Sequence, residues 1–352
     1  MGPPFLPRTT RSIMSIERRS RYACVLGPAL VAGIWLCCAA PPIHAQRRDT
    51  LVPANSQAVE IAVRLVNTET PSVDRDRNIY FNFGFFVPGI SRKLMKLSPD
   101  GTTTVFRDDF KGGATLWDSE NRLIILGNQV DGKRGVLTRE DLTTGKLEVL
   151  ADGYDGKPFQ SPNDLTMDGK GRIFFTDRTG RAVYRVDGPG KVARVLGEAD
   201  LQEPNGLQVS PDDRTLYVVE SHQAKGGYRR INAYDLTPDG TASHMRILYD
   251  FRPGRGADGL SIDVQGNIYA TAGLNFPASL HVRPNRAESD ETMDTKGGVY
   301  VISPQGKLIK FIPVPEDHLT NLTFGGPDMK TLFICAGKTI FQIRTDVAGL
   351  PR

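Results

Sequence analysis

Cysteine is almost missing from this chain. Of its four cysteines, Cys24, Cys37 and Cys38 fall within the first 45 residues, which leaves Cys335 alone in the remainder. Residues 46–352 can therefore form no internal disulfide and no cysteine metal site. Cys335 lies in the apolar run Leu332-Phe333-Ile334-Cys335-Ala336 and is expected to serve as a small buried hydrophobe. Histidine is scarce as well, with only His222, His244, His281 and His318 beyond residue 45. No Gly-x-Ser-x-Gly elbow is present, so a serine nucleophile has no support. Helical periods are few, and past the N-terminal segment no apolar run is long enough to cross a bilayer.

A net charge is also lacking once the N-terminus is set aside. Arg18, Arg19 and Arg21 precede an apolar run from Ala23 to Ala40, and Ile43-His44-Ala45 follows with a small residue at its end. This is the order of a secretory signal, so residues 1–45 are expected to be removed on export to the periplasm or the medium. That segment holds five arginines and one acid, Glu17, so its removal takes the net charge from +4 to zero. A neutral chain without a basic run has no electrostatic footprint for nucleic acid, and no membrane association is expected beyond the export signal. Residues 46–57 read as a flexible linker and 58–352 as one domain.

What the domain does contain is a repeat. An apolar strand, a polar turn rich in Asp, Gly and Asn, and a second strand with an aromatic or aliphatic residue near its start recur six times. Matching Tyr80, Ile124, Phe174, Tyr217, Tyr269 and Phe333 spaces the copies by about 43 to 64 residues. Further strand pairs lie between copies, such as Ala182–Val186 and Gly298–Ile302, so each unit reads as four strands. Units of this length are propeller blades, and a blade cannot cover its own two faces. The spacing predicts an all-β, six-bladed β-propeller with four-stranded blades. Residues 58–63 are expected to close the ring against strands from the C-terminal end. The longest gap holds Asn275 to Lys296, rich in Pro, Asp, Glu and Arg, and reads as a rim loop or lid, with a disordered segment as the alternative.

One phase of the repeat carries polar side chains. Glu69, Gly113, Asn163, Asn205, Asp258 and Asn321 precede the first strand's end by a similar distance, so in a ring they would converge on the axis from one end. Two carboxylates in a narrow, partly dry channel repel, and a divalent cation removes that cost. Glu69 and Asp258 with the amide oxygens of Asn163 and Asn205 suit a hard ion, calcium first, with zinc or magnesium as alternatives. The competing reading is that Asn and Asp at these places cap turns, which leaves the Glu at the first position unexplained. His318, three residues before Asn321, is an alternative acid or base.

These residues also carry a resemblance. Ser161-Pro162-Asn163-Asp164-Leu165 ahead of Gly171-Arg172-Ile173-Phe174-Phe175-Thr176-Asp177 closely resembles the senescence marker protein/gluconolactonase family, which includes regucalcin. Pro204-Asn205-Gly206-Leu207, Asp258-Gly259-Leu260 and Thr320-Asn321-Leu322 fit the same pattern, over roughly residues 60 to 345. The resemblance implies one axial divalent ion held by Glu69, Asn163, Asn205 and Asp258. It also implies hydrolysis of a small lactone or ester. Asp258, which could hold a water beside that ion, is the candidate general base. Two positions depart from the family: Thr70 stands where Gly is usual, and Ser161 where animal sugar-lactone members carry an arginine that contacts substrate. A strictosidine synthase-like enzyme or a non-catalytic binding propeller are the rival classes. Loss of the acidic ligands would favour the former.

Overall fold

The computed structural model describes residues 51–351, except 55, 63, 64, 66, 85–88, 223, 225 and 276–294. The expected export signal and most of the expected lid lie outside the described residues. All described residues belong to one unit spanning 48–352.

That unit is a six-bladed β-propeller of antiparallel four-stranded sheets. Blade 1 is β2 (Glu69–Val73), β3 (Ile79–Phe83), β4 (Lys93–Leu97) and β5 (Thr103–Arg107). Blade 2 is β6 (Thr115–Trp117), β7 (Leu123–Val130), β8 (Lys133–Asp141) and β9 (Lys146–Ala151). Blade 3 is β10 (Pro162–Met167), β11 (Ile173–Asp177), β12 (Ala182–Val186) and β13 (Val192–Leu196). Blade 4 is β14 (Pro204–Val209), β15 (Thr215–Ser221), β16 (Arg229–Leu236) and β17 (Ala242–Asp250). Blade 5 is β18 (Ala257–Ile262), β19 (Ile268–Ala272), β20 (Gly298–Ile302) and β21 (Leu308–Pro313). Blade 6 is β22 (Leu319–Gly325), β23 (Thr331–Ala336) and β24 (Thr339–Arg344), completed by β1 (Val59–Ala62).

The expected ring closure is present: Val59, Glu60 and Ala62 pair with Gln342, Phe341 and Ile340. The linker expectation is corrected at one point. Leu51 and Val52 are buried in the cluster between blades 5 and 6, and Leu51 O accepts the Asp346 N–H at 3.0 Å. Two apolar side chains with a cavity to fill outweigh the polar composition around them.

The hydrophobic core is six clusters, and each lies between two neighbouring blades. Phe174 and Val183 of blade 3 meet Leu216 and Tyr234 of blade 4, for example, and Ile79 and Phe81 of blade 1 meet Phe333 and Cys335 of blade 6. This is why the second strands read as near-continuous apolar runs rather than alternating ones. Both faces of β11 and β19 are buried throughout. Each such Phe, Ile or Leu contributes roughly 1.5–3 kcal/mol by leaving water. The outermost strands face water on one side, and Met245 and Ile247 on β17 are exposed. The innermost strands β2, β6, β10, β14, β18 and β22 touch in sequence and line the axis.

Candidate functional site

The ladder between the first and second strands slips at one place in five blades. The shifts fall between Glu69 and Ser72, Pro162 and Leu165, Pro204 and Leu207, Ala257 and Leu260, and Leu319 and Asn321. In blade 2 the first strand begins at Thr115, and backbone bonds carry the pairing back to Gly113, whose N–H donates to Leu126 O at 2.8 Å. A bulge frees a residue from the ladder and re-aims its side chain. The freed residues include Asn163 in blade 3, Asn205 in blade 4 and Asp258 in blade 5, whereas Glu69 in blade 1 still pairs with Asn82 and stands at the edge of its shift.

Interblade bonds pin the backbone at this level. Thr176 Oγ1 on β11 donates to Asn205 O (2.7 Å), Thr271 Oγ1 on β19 donates to Thr320 O (3.1 Å), and Asn82 Nδ2 on β3 donates to Gly113 O (2.9 Å). These bonds identify the blade 6 member as Thr320, whose hydroxyl donates to Thr68 O (2.9 Å). Asn321, expected in the same phase, is instead the counterpart of Asp164. Each accepts the next backbone N–H on its own side chain, Leu322 N to Asn321 Oδ1 at 2.8 Å and Leu165 N to Asp164 Oδ1 at 2.9 Å. Blades 3 and 6 face each other across the ring, and Asn321 Nδ2 donates to Asp164 Oδ2 over the axis at 3.0 Å. Asp164 was not among the sequence-derived candidates.

Three carboxyl groups share this enclosure. Glu69 is pushed well above the usual carboxylate range, first by burial and then by the negative charges of Asp258 and Asp164; the Thr320 hydroxyl and Arg178 oppose the shift. Asp258 is also raised by burial, against the pull of Arg255, Arg178 and the Asn205 amide. Arg255 Nη2 reaches Asp258 Oδ2 only at 3.4 Å, a long contact for a charged pair. Asp164 is raised to about 7, mainly by burial. Asn205 is buried, with Nδ2 donating to Ser221 Oγ (3.1 Å), whereas Asn163 is half-buried.

The donor set fits a hard divalent cation. It offers carboxylate and amide oxygens, and burial disfavours the carboxylates' charged form unless a cation compensates. Among the described residues, no three His, Cys, Asp or Glu side chains group as a metal cluster by themselves, so an ion here draws on the amides. Cys335 is no soft donor: burial and the nearby Glu69 push its thiol pKa up. His318 is half-buried with φ of 55°, and its carbonyl accepts the Gly337 N–H at 3.0 Å.

Two further carboxylates hold the loops that lead into β10 and β14. Asp177 accepts the N–H groups of Gln160 (2.8 Å) and Ser161 (2.7 Å). Glu220 does the same for Gln202 (3.1 Å) and Glu203 (2.8 Å). Their sequence signal is a shared offset: each lies three residues past the matched aromatic, Phe174 and Tyr217. On the other side of the Asp164–Asn321 pair lies an axial cavity of about 440 Å³, lined by Ser72, Thr115, Thr166, Gln208, Ser261 and Thr323 among others. Glu69, Asn163, Asn205 and Asp258 do not line it.

Comparison with known proteins agrees with this architecture. A gluconolactonase from Zymomonas mobilis is 30% identical over 241 residues, 62% of this chain and 59% of that protein. A 6-deoxy-6-sulfogluconolactonase from Pseudomonas putida is 27% identical over 199 residues, 54% of this chain and 59% of that one. The chain thus spans roughly half to three-fifths of the length of the first curated relatives it matches. Among solved structures, a gluconolactonase from Xanthomonas campestris superposes with a TM-score of 0.65 at 24% identity, covering 86% of this chain and 93% of that one. The calcium-binding protein regucalcin from Agrobacterium tumefaciens gives 0.63 at 22%, covering 86% and 97%. Residues 85–338 match the model of the SMP-30/Gluconolactonase/LRE-like region, a span that begins after Glu69. With most of its length inside that match and its ring built as above, the chain belongs to the SMP-30/gluconolactonase/LRE-like family.

Proposed function

We propose that this chain is a metal-dependent hydrolase that opens a small lactone. Glu69, Asn163, Asn205 and Asp258 would hold one divalent cation, calcium in the first instance, at the bulged end of the channel. The observation that carries this reading is the enclosure shared by Glu69 and Asp258, two buried acids, in which the charge of Asp258 adds to the cost of ionising Glu69. Chains 30% and 27% identical to this one are lactonases by name.

A cation bound there would act as a Lewis acid, stabilising negative charge as it develops on the lactone carbonyl oxygen. The chain's own residues do the rest. Asp258, steadied by Arg255 and the Asn205 amide, takes a proton from the attacking water. The water oxygen bonds to the carbonyl carbon, the bond from that carbon to the ring oxygen breaks, and the proton passes to the ring oxygen, giving the open hydroxy acid. Residues 1–45 would direct the chain out of the cytoplasm before it acts.

The test is purified protein lacking residues 1–45, freed of metal and titrated with calcium, zinc and magnesium. Expected are a rise in Tm with at least one cation and cation-dependent acid release from a panel of lactones in a pH-stat. Stabilisation without turnover of any lactone would make the chain a binding propeller. No stabilisation by any of the three would remove the metal site.

A further inference from the structure

The axial cavity takes no part in the reaction above, yet all six blades contribute to it. It lies where the first and second strands join in hairpins, and the turn residues Asp74, Arg75, Asp118 and Ser119 stand at its rim. It reaches solvent there, because Arg75, Ser119 and Pro351 on its wall are exposed. Asp164 and Asn321, bonded over the axis at 3.0 Å, form its inner end. The segment after β24 crosses this face from blade 6 to blade 5. Val264 N–H donates to Ala348 O (3.0 Å) and Leu350 N–H to Ile262 O (2.9 Å), which holds Leu350 and Pro351 at the rim. A volume of about 440 Å³ is that of a small-ligand pocket.

The wall of the cavity is mixed. Leu116, Leu165, Leu260 and Leu322 give it apolar surface from four blades. Beside them Thr166, Gln208, Ser261 and Thr323 present neutral hydroxyl or amide groups from blades 3 to 6. Their hydrogen-bonding capacity is only partly used. Thr166 Oγ1 donates to Gln208 Oε1 (3.0 Å), and Gln208 Nε2 uses one of its two N–H groups on Leu260 O (3.2 Å). The Ser261 hydroxyl is half-buried and has no hydrogen-bond partner among the described residues. Charges at the rim are of both signs, Arg75 and Arg77 with Asp74 and Asp118. An anion would meet those two acids and Asp164, and a cation the two arginines. The wall therefore suits a neutral molecule whose hydroxyls both donate and accept and whose carbon faces are apolar. Water satisfies the hydroxyls but leaves the leucines wetted.

We propose that the hairpin end of the channel is a second binding site, separate from the cation site, for a small neutral polyhydroxylated molecule of the monosaccharide or cyclic polyol class. Ser261 and the remaining N–H of Gln208 hold its hydroxyls, and the leucines meet its carbon face. The site lies behind the Asp164–Asn321 pair and is independent of whether the bulged end opens a lactone. Trp117 lines the cavity, and once Trp35 is removed with residues 1–45 it is the single tryptophan, so its emission reports on what the cavity holds. The experiment titrates the metal-free protein lacking residues 1–45 with D-glucose, myo-inositol, D-gluconate and cyclohexanol, following Trp117 emission and Tm. Expected are a saturable change in emission and a rise in Tm with at least one of the two neutral polyols at millimolar concentration. Gluconate and cyclohexanol should bind at least about tenfold more weakly, the first through its charge and the second through its missing hydroxyls. Ser261→Val removes one hydroxyl that no neighbour uses and should weaken the polyol about two- to tenfold, the span of one neutral hydrogen bond. Ser261→Leu, which extends into the cavity, should abolish the response. Asp258→Asn should leave it unchanged. A response to neither polyol would leave the cavity to water and overturn the site. A response that Asp258→Asn removes and Ser261→Val spares would place the polyol at the bulged end instead. Equal affinity for gluconate or cyclohexanol would overturn the class of ligand.

Discussion

The innermost strands carry acids at both ends of the channel, and the two sets have opposite surroundings. At the hairpin end, Asp74, Asp118, Asp168 and Asp263 are saturated with donors from their own turns. Asp168 accepts from Lys170 N (3.0 Å), Arg172 N (2.9 Å) and Arg172 Nε (2.6 Å). Asp263 accepts from Gln265 N (2.9 Å), Asn267 N (2.9 Å) and Asn267 Nδ2 (2.8 Å). At the bulged end, Glu69, Asp164 and Asp258 face one another with few donors, and burial raises all three. A carboxylate that closes its own turn is part of the scaffold. One that the fold buries beside two others without enough partners costs stability, and that cost is tolerated where the group has work to do.

Substitutions should separate the two ends. Glu69→Gln and Asp258→Asn should each lower lactone turnover by more than about a hundredfold and abolish cation-induced stabilisation, because each removes a proposed ligand charge. The metal-free variants should be no less stable than the metal-free wild type, since an uncompensated buried acid has been removed. Asp168→Ala should do the reverse. It strips three donors of their acceptor and should cost about 2–3 kcal/mol by urea denaturation, with kcat unchanged while the protein is folded. A loss of activity equal to that of Asp258→Asn would erase the distinction between the ends.

A pH series gives a smaller signal of the same contrast. Asp164 ionises near 3.8 in the unfolded chain and at about 7 in the folded, metal-free protein. Between those values the folded state holds the proton more tightly, so the contribution of Asp164 to stability is fullest below about pH 4 and is lost as pH rises towards 7. Glu69, also raised, acts in the same direction. The metal-free Tm of the wild type should therefore fall relative to that of Asp164→Asn across this range. The trend would be contradicted by a Tm that climbs from pH 4 to 7 in chelator and is unaffected by Asp164→Asn.

The fold was legible because six copies of one pattern fix blade number, strand number and closure together. The site was legible only in part. Glu69, Asn163, Asn205 and Asp258 each stand two residues before a Pro or Leu of the strand, and that constancy exposes them. Asn321 stands only one residue before Leu322, so the spacing itself contained the shift that makes Thr320 the blade 6 member. Asp164 was hidden because its meaning depends on Asn321, 157 residues away and across the ring. Arg178 and Glu203 become a pair only when blades 3 and 4 are laid side by side. Local pattern reports a residue's own blade, while partners in another blade need the closed ring.

The smallest effect concerns Thr70, directly after Glu69. Its φ is 45°, in the left-handed region that a β-branched residue rarely enters. Such strain costs about 1–3 kcal/mol and persists only where the surroundings enforce it. Here Pro71 follows, and Asn82 Nδ2 donates to Thr70 Oγ1 at 2.7 Å. Thr70→Gly would relieve the strain but lose that bond, worth about 1 kcal/mol, and free the unfolded chain by about 0.5–1 kcal/mol. The net change should lie between about 1 kcal/mol of destabilisation and about 1.5 kcal/mol of stabilisation. Thr70→Ala keeps a strained backbone and also loses the bond, so it should fall about 1 kcal/mol below the wild type. The informative quantity is the order of the two variants. Glycine above alanine reverses the usual ranking within a strand and can come only from the backbone at this residue. Alanine equal to or above glycine would mean that the bulge beside Glu69 is relaxed, and that the bulged end of the channel carries electrostatic cost without conformational strain.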